Sequence, residues 1–421
     1  MENVKFINDL KIRGGWGVSG NNSIGNFEWQ GNMGVNRYPI GSTQTAQIGV
    51  IPGSKAQNDQ LTWEKTREFN AGFDMSILNN RITISADYYV RTSYDLLLSL
   101  PTPILTGQTT FLTNMGKMRN KGIELSLSTR NIVGSAFTWS TDFNISHNDN
   151  KVLALGPGNS PIFPASKISG GPWFRTAVGF PLSTFWGYQV AGIFRDDADL
   201  AKHIQYNPGK DRPGQFYYKD VSGPNGTPDG VIDVNDRTVI GNNNPKFTAG
   251  MTNHFTYKDL SLDIQLNASY GGHTYNLLFK ELVKGTDGSR GAPQYLLDRW
   301  RSPENPGNGK IPAVTSAGRG LDGSGSSYWI QDNSYLRIRN VTLAYDLTSK
   351  LPKKYGIQRL RVYASANNLY TFTRYLGYDP EANTSYYYDS PDGTGGSQVS
   401  GADYLAYPIS RTYSIGLNLT F

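Results

Sequence analysis

Strict two-residue alternation over long stretches constrains this chain more than any other feature. Ile82, Ile84, Ala86, Tyr88 and Val90 share one face of a segment whose other face carries Arg81, Thr83, Ser85, Asp87 and Tyr89. Phe137, Trp139, Phe143 and Ile145 oppose Thr138, Ser140, Asp142 and Asn144. Leu260, Leu262, Ile264 and Leu266 oppose Ser261, Asp263, Gln265 and Asn267. Side chains of a strand point alternately to its two faces, so each segment reads as a strand with one apolar and one polar face. A soluble sandwich gives the same alternation. The runs, however, reach about ten residues or more, the length a strand needs to cross a bilayer, against about five or six in globular sheets.

The pattern predicts strands over 8–18, 64–78, 81–95, 119–130, 136–147, 172–179, 184–194, 246–257, 260–270, 334–347, 358–372 and 409–421. Joints at Asn79–Asn80, 131–135, 179–183, Lys258–Asp259 and 349–357 are short. Those at 19–63, 96–118, 148–171, 195–245, 271–333 and 373–408 are long, and the two kinds alternate. Tight turns on one side and long loops on the other are the plan of an outer-membrane barrel. The expected fold is therefore all-β: an antiparallel transmembrane β-barrel of about twelve strands, with short periplasmic turns and long extracellular loops. Gly179, Pro181 and Gly187 interrupt the pattern in 172–194. Within the loops, 275–283 and 295–300 have helical spacing. The Gly- and Ser-rich stretches 317–327 and 390–401 read as loop tips.

Composition removes other classes. Cysteine is absent, which excludes disulfide scaffolds, thiolate metal sites and cysteine catalysis. The formal charge of +6 is spread over interleaved acidic and basic residues, with no basic stripe to hold nucleic acid. Gly15-Trp16-Gly17-Val18-Ser19-Gly20 fits a dinucleotide fingerprint by letter. Loop residues follow it, where the fingerprint needs a helix to offer its N-terminal amides, so it reads as a glycine-rich strand end. The four histidines, His147, His203, His254 and His273, form no close pair, and no nucleophile, base and orienting group can be assembled; an enzyme is not expected.

Three groups of residues are candidates for binding or assembly. Asp220, Asp229, Asp233 and Asp236 surround an Asp-Gly-x-Ile stretch similar to the middle of a calcium loop, and calcium is the candidate cation. The spacing from Asp220 to Asp229 is too long for the standard loop and no closing Glu is present, so an Asx-rich turn is the plainer reading. Trp173, Trp329, Tyr386, Tyr387, Tyr388 and Tyr404 lie in loops, where exposed rings can stack on cargo or a partner. Last, Tyr413, Leu417, Leu419 and Phe421 form the apolar face of an alternating final strand, the typical signal read by the outer-membrane barrel assembly machinery. Such a strand offers backbone donors and acceptors for pairing at a sheet edge.

Several segments together resemble a known family. They are Leu10 to Asn21, Leu61 to Thr66, Asp229 to Gly241, Ser334 to Leu343, Gly377-Tyr378-Asp379-Pro380-Glu381, and the ending Gly416 to Phe421. In that order they resemble the C-terminal barrel part of SusC/RagA-type TonB-linked outer-membrane proteins of Bacteroidetes. The resemblance implies an importer of glycans or peptides, in the cell outer membrane and in contact with its lipid. Its barrel is plugged by an N-terminal domain and driven by TonB, and a SusD-like surface lipoprotein covers the loops. The sequence opens without a signal-peptide pattern, and no plug domain or TonB box is found in it. Residues 1–421 are thus expected to be a C-terminal part, about half of a 22-stranded barrel, reaching TonB only through a missing N-terminal region. The competing expectation is an autonomous outer-membrane barrel acting as a surface adhesin.

Overall fold

The structure is a computed structural model. It describes residues 6–22, 24–39, 46–53, 55–108, 110–164, 173–284, 293–314, 325–351, 356–383, 399–404 and 406–421. One eleven-stranded sheet dominates, and ten of its strands follow one another in chain order. They are β1 (Ile7–Asn21), β2 (Glu64–Ile77), β3 (Ile82–Pro101), β4 (Thr110–Val133) and β5 (Phe137–Ala154). The second five are β6 (Phe247–Tyr257), β7 (Leu260–Tyr270), β8 (Tyr335–Asp346), β9 (Arg359–Thr373) and β10 (Thr412–Thr420). Every neighbouring pair is antiparallel. The two-residue strand Lys55–Ala56 runs parallel beside β4. The ladder is open: among the described residues β1 pairs only with β2, and β10 only with β9.

Register converts the alternation into two continuous surfaces. Trp139, Phe255, Leu262, Leu343, Ala364 and Ile415 lie in one cross-strand row, on the same face throughout. Ser140, His254, Asp263, Thr342, Ser365 and Ser414 form the neighbouring row on the other face. A one-residue slip would exchange the two surfaces, so the pattern fixes the pairing. Large apolar side chains such as Ile12, Trp16, Ile123 and Ile415 stand exposed on the first surface, as a lipid-facing band requires. The polar surface holds a cleft lined by Glu124, Ser126, Asp142, Asn144, Thr248 and Gln265. Its charges are paired across strands: Arg13 reaches Asp74 at 3.0 Å and Asp87 at 2.9 Å, and His254 Nδ1 lies 2.7 Å from Asp263.

This division gives a first prediction. Leu266→Arg, on the apolar face of β7, is expected to destabilise the protein by about 2–4 kcal/mol in a bilayer. Gln265→Arg, one residue away on the polar face, should cost about 0.5 kcal/mol or less. Denaturant titration in lipid compares them, and equal losses would refute the assignment of faces.

Shorter and longer connections still alternate, but the expected long joint 96–118 shrinks to 102–109, and the strand count differs. Asn79 and Asn80 make the β2–β3 turn with positive φ of 58° and 59°, the backbone that a tight hairpin needs and that asparagine tolerates. The spans 172–179 and 184–194, expected as two membrane strands, are instead small pieces of a loop. Phe174–Arg175 pairs with Thr184–Gly187, and Val190–Ile193 pairs with Phe216–Tyr218, all off the main sheet. Removing one hairpin merges two long joints and one short one into a single connection, 155–246, and so leaves the alternation intact. The expected loop helices appear as an α-helix over Leu277–Lys284 and a 3-10 turn over Gln294–Asp298. The Gly15 to Gly20 motif lies inside β1.

Candidate functional site

At the loop end of the sheet, described residues of the connections 155–246, 271–334 and 374–411 pack together into one cap with its own apolar core. Trp173, Phe174, Phe185, Tyr188, Tyr275 and Trp329 are each at most 1% exposed. Trp173 and Tyr275 have ring centroids 4.7 Å apart, and Phe174 meets Phe185 edge-on at 5.5 Å. Lys280, 1% exposed, sits among them with its Nζ 3.7 Å from the Trp173 ring centroid and 6.0 Å from that of Trp329. Indole faces carry negative charge density and stabilise a desolvated ammonium. Backbone bonds lace the loops: Tyr188 N donates to Gly325 O, Ser327 N to Tyr188 O and Tyr275 N to Gly401 O. Gly187 lies where these backbones meet; a Cβ there would collide with the Gly325 carbonyl.

The cap is tied to the polar face. Val152 N donates to Phe180 O and Gly179 N to Val152 O, both at 2.9 Å. Leu182 N donates to Asn150 Oδ1 at 2.8 Å, and Asn150 in turn donates to Asn120. The segment around 176–183 is therefore fastened to the loop end of β5, several residues beyond Ser146, where the cleft lining on that strand stops.

A buried charge cluster makes a second tie. Arg337, on β8, points to the polar face with its side chain 3% exposed. Its Nη2 donates to Asp379 Oδ1 at 2.8 Å, its Nε to Thr371 at 2.9 Å, and its Nη1 to Glu381. Tyr335 donates to the same Glu381 at 2.6 Å, and the Glu381 amide donates to Asp379. Two of the family segments, Ser334 to Leu343 and Gly377 to Glu381, are thus the two halves of one interaction. Sequence reasoning missed it; the available signal was a pair of arginines at alternate positions of a strand together with an Asp-Pro-Glu turn.

Farther along the same loop, Tyr375 donates to Asp403 Oδ2 at 2.6 Å, with both residues buried. Burial pushes the Asp403 carboxyl above the usual carboxylate range, against the opposing effect of that hydrogen bond. A carboxyl whose pKa is raised by folding stabilises the folded state below its unfolded pKa. That contribution is lost as pH rises through the folded value. Asp403→Asn keeps an acceptor for Tyr375 and removes the charge. It is expected to raise the melting temperature at neutral pH and to flatten its dependence on pH above the ordinary carboxylate range; an unchanged profile would rule Asp403 out as the source.

The candidates from the sequence fare differently. Trp173 and Trp329, expected as exposed contact residues, are 0% exposed: the loops gain more by burying these rings in the cap core than by presenting them. Tyr404 is half-buried against the same core. Tyr386, Tyr387 and Tyr388 lie outside the described residues. Nor do the four aspartates converge. Asp236 is buried and accepts from the amides of Val221, Ser222 and Asp233. Asp233 caps Asn235, Asp220 accepts from Gly230 and Asp229 from Val231. Their carboxylates hold a turn together, and the described residues contain no group of three or more acidic, His or Cys side chains placed for a metal. The set does not fit a calcium ion. Tyr413, Leu417 and Leu419 project from the apolar face of β10, exposed together with Phe421.

Comparison with known proteins agrees with this architecture. Residues 3–369 match the family model described as TonB dependent receptor-like, beta-barrel. The chain is 32% identical over 424 residues to TonB-dependent receptor P3 of Formosa agariphila. It is 30% identical over 439 residues to TonB-dependent receptor SusC of Bacteroides thetaiotaomicron. These alignments take in all of this chain but 40% and 38% of the two relatives, so the chain spans about two fifths of their length. A solved structure of the RagAB peptide transporter has the same fold, with a TM-score of 0.77 at 24% identity, over all of this chain and 42% of that one. With an amphipathic meander, loops sorted by side and a family match across most of its length, the chain belongs to the TonB dependent receptor-like β-barrel family, proteins of the outer membrane.

Proposed function

We propose that residues 1–421 form the C-terminal barrel part of an outer-membrane importer of nutrient oligomers, glycans or peptides. Plug and TonB contact belong to a preceding region, and a SusD-like lipoprotein seats on the cap. One observation carries this reading: a packed cap, with a core of its own, is fastened by hydrogen bonds and a buried ion pair to the loop ends of strands whose polar face holds the cleft. Such a cap offers a firm platform for a lid and a route from the loops into the cleft. An autonomous adhesin barrel would need β1 and β10 to pair with each other; their only ladder partners among the described residues are β2 and β9.

The test is genetic. Deleting the gene region in its host should abolish growth on one oligomeric nutrient. Complementation should restore it, and complementation lacking the cap segment 184–240 should not. Normal growth on every oligomer tested would defeat the importer reading. Tyr413, Leu417, Leu419 and Phe421 serve assembly in this reading. Phe421→Ser is expected to slow barrel assembly several-fold while leaving the assembled protein's melting temperature unchanged, as pulse-chase and heat-modifiability assays would show.

A further inference from the structure

The cap contains one arginine in an unusual setting. Alternation in the short strand Phe174–Arg175 sends Phe174 into the core, 1% exposed, and Arg175 to the opposite side. The Arg175 guanidinium carbon lies 4.2 Å from the ring centroid of Trp186 and 5.6 Å from that of Phe180. Phe163 tilts against Trp186 at 6.1 Å. Phe163 and Phe180 are 43% and 39% exposed, so the frame of rings is open on one side.

Several arginines of the protein are answered by carboxylates, Arg13 by Asp74 and Asp87, Arg91 by Glu68 and Arg337 by Asp379 and Glu381, whereas others such as Arg81 bond only backbone carbonyls. Arg175 has no carboxylate within salt-bridge distance among the described residues, and its Nε is buried without a hydrogen-bond partner. Nor does the neighbouring stretch 165–172 contain any Asp or Glu. Burial lowers the guanidinium pKa, the mark of a charge desolvated without compensation. The cation lies against an indole, stripped of part of its water, and has no carboxylate partner among the described residues.

A planar guanidinium fork matches a carboxylate with two parallel hydrogen bonds. Beyond the indole, the two exposed rings of the frame, Phe163 and Phe180, present hydrocarbon and no hydroxyl or amide. They favour an apolar side chain over a sugar ring, whose hydroxyls need partners. The position also suits a cargo contact. Residues 179 and 180 are bonded to Val152, at the loop end of β5, the strand whose residues Asp142 to Ser146 line the polar cleft. We propose that Arg175, Trp186, Phe163 and Phe180 form a subsite for the C-terminal end of a peptide, with Arg175 taking the free carboxylate and Phe163 and Phe180 the last apolar side chain. This rests on the importer reading and narrows its cargo to peptides.

The test uses the receptor polypeptide with whatever preceding segments its gene encodes, together with its lipoprotein, purified in detergent. Titration calorimetry compares three probes: Ala-Ala-Phe with a free carboxylate, the same tripeptide as its C-terminal amide, and a glucuronate oligomer. In the unaltered protein the free acid should bind about tenfold or more tighter than the amide, in keeping with the strength of a bidentate charged pair. Arg175→Gln should remove that ratio, and Arg175→Lys should keep part of it. Phe163→Ala, at an exposed ring whose loss spares the core, should weaken the tripeptide against Ala-Ala-Gly while preserving the acid-to-amide ratio. Equal binding of acid and amide overturns the carboxylate subsite. Binding of the glucuronate oligomer alone, abolished by Arg175→Gln, overturns the peptide assignment. If no probe binds but the gene still supports growth on an oligomer, the subsite fails and the importer reading stands. If growth is also unaffected, the importer reading itself falls.

Discussion

Replacing Arg337 with alanine is expected to lower stability by about 3–5 kcal/mol, the usual result of removing one partner from a buried ion pair. The arginine side chain is 3% exposed and Asp379 7%. The variant strands a carboxylate in a dry site, with the Glu381 amide its one remaining donor among the described residues. Chemical unfolding in detergent measures the loss. Limited proteolysis locates it, with new cleavage expected in 374–411, the segment that Asp379 and Glu381 pin to β8. Arg337→Met combined with Asp379→Asn removes the pair at similar volume and should recover most of the stability. A loss below about 1 kcal/mol, the worth of an exposed pair, would sink the anchor.

Trp173→Ala is the second large effect, at about 3–5 kcal/mol for a fully buried aromatic ring. About 2 kcal/mol of it is the contact with a desolvated ammonium, because the indole is the nearer of the two that flank Lys280. The damage should stay in the cap. Near-UV dichroism should fall and loop cleavage should rise, while the far-UV β signal and heat-modifiable migration persist. Trp173→Phe keeps a ring beneath Lys280 and should fall between the two. Loss of the heat-modifiable species along with the cap signal would mean that cap and sheet fold as one unit, contrary to a cap with a core of its own.

Sheet and loops differ in how much the sequence reveals. Along β7 the boundaries are read to the residue, 260–270, because one face meets lipid and the other water, so burial follows a fixed period of two. β4 starts at Thr110, well before the expected 119, and β3 runs on to Pro101. Register shifts at Tyr94, Leu96 and Leu97 break the alternation there and hide the continuing hairpin. In 172–194 the error has the opposite cause. Trp173, Phe185 and Tyr188 lie within the expected strands, but the solvent they avoid is excluded by Tyr275 and Trp329, about a hundred or more positions away from Trp173. No local period carries that information. Separation along the chain likewise hides Asp379 and Glu381, 42 and 44 positions from Arg337, and turned Trp173 and Trp329 from expected surface into core.

The cap also sets an order of assembly. Ser400 N donates to Ser183 Oγ across 217 positions of chain, and Tyr275 pairs with Ala402. Contacts of such long range form late, after the loops they close have been brought together. The core around Trp173 therefore stays incomplete until the residues just before β10 arrive, when the last hairpin of the described sheet is in place. A barrel stalled one hairpin short would expose the raw aromatic surface of its loops, and that surface is a ready mark by which a surveillance protease could tell an unfinished barrel from a finished one.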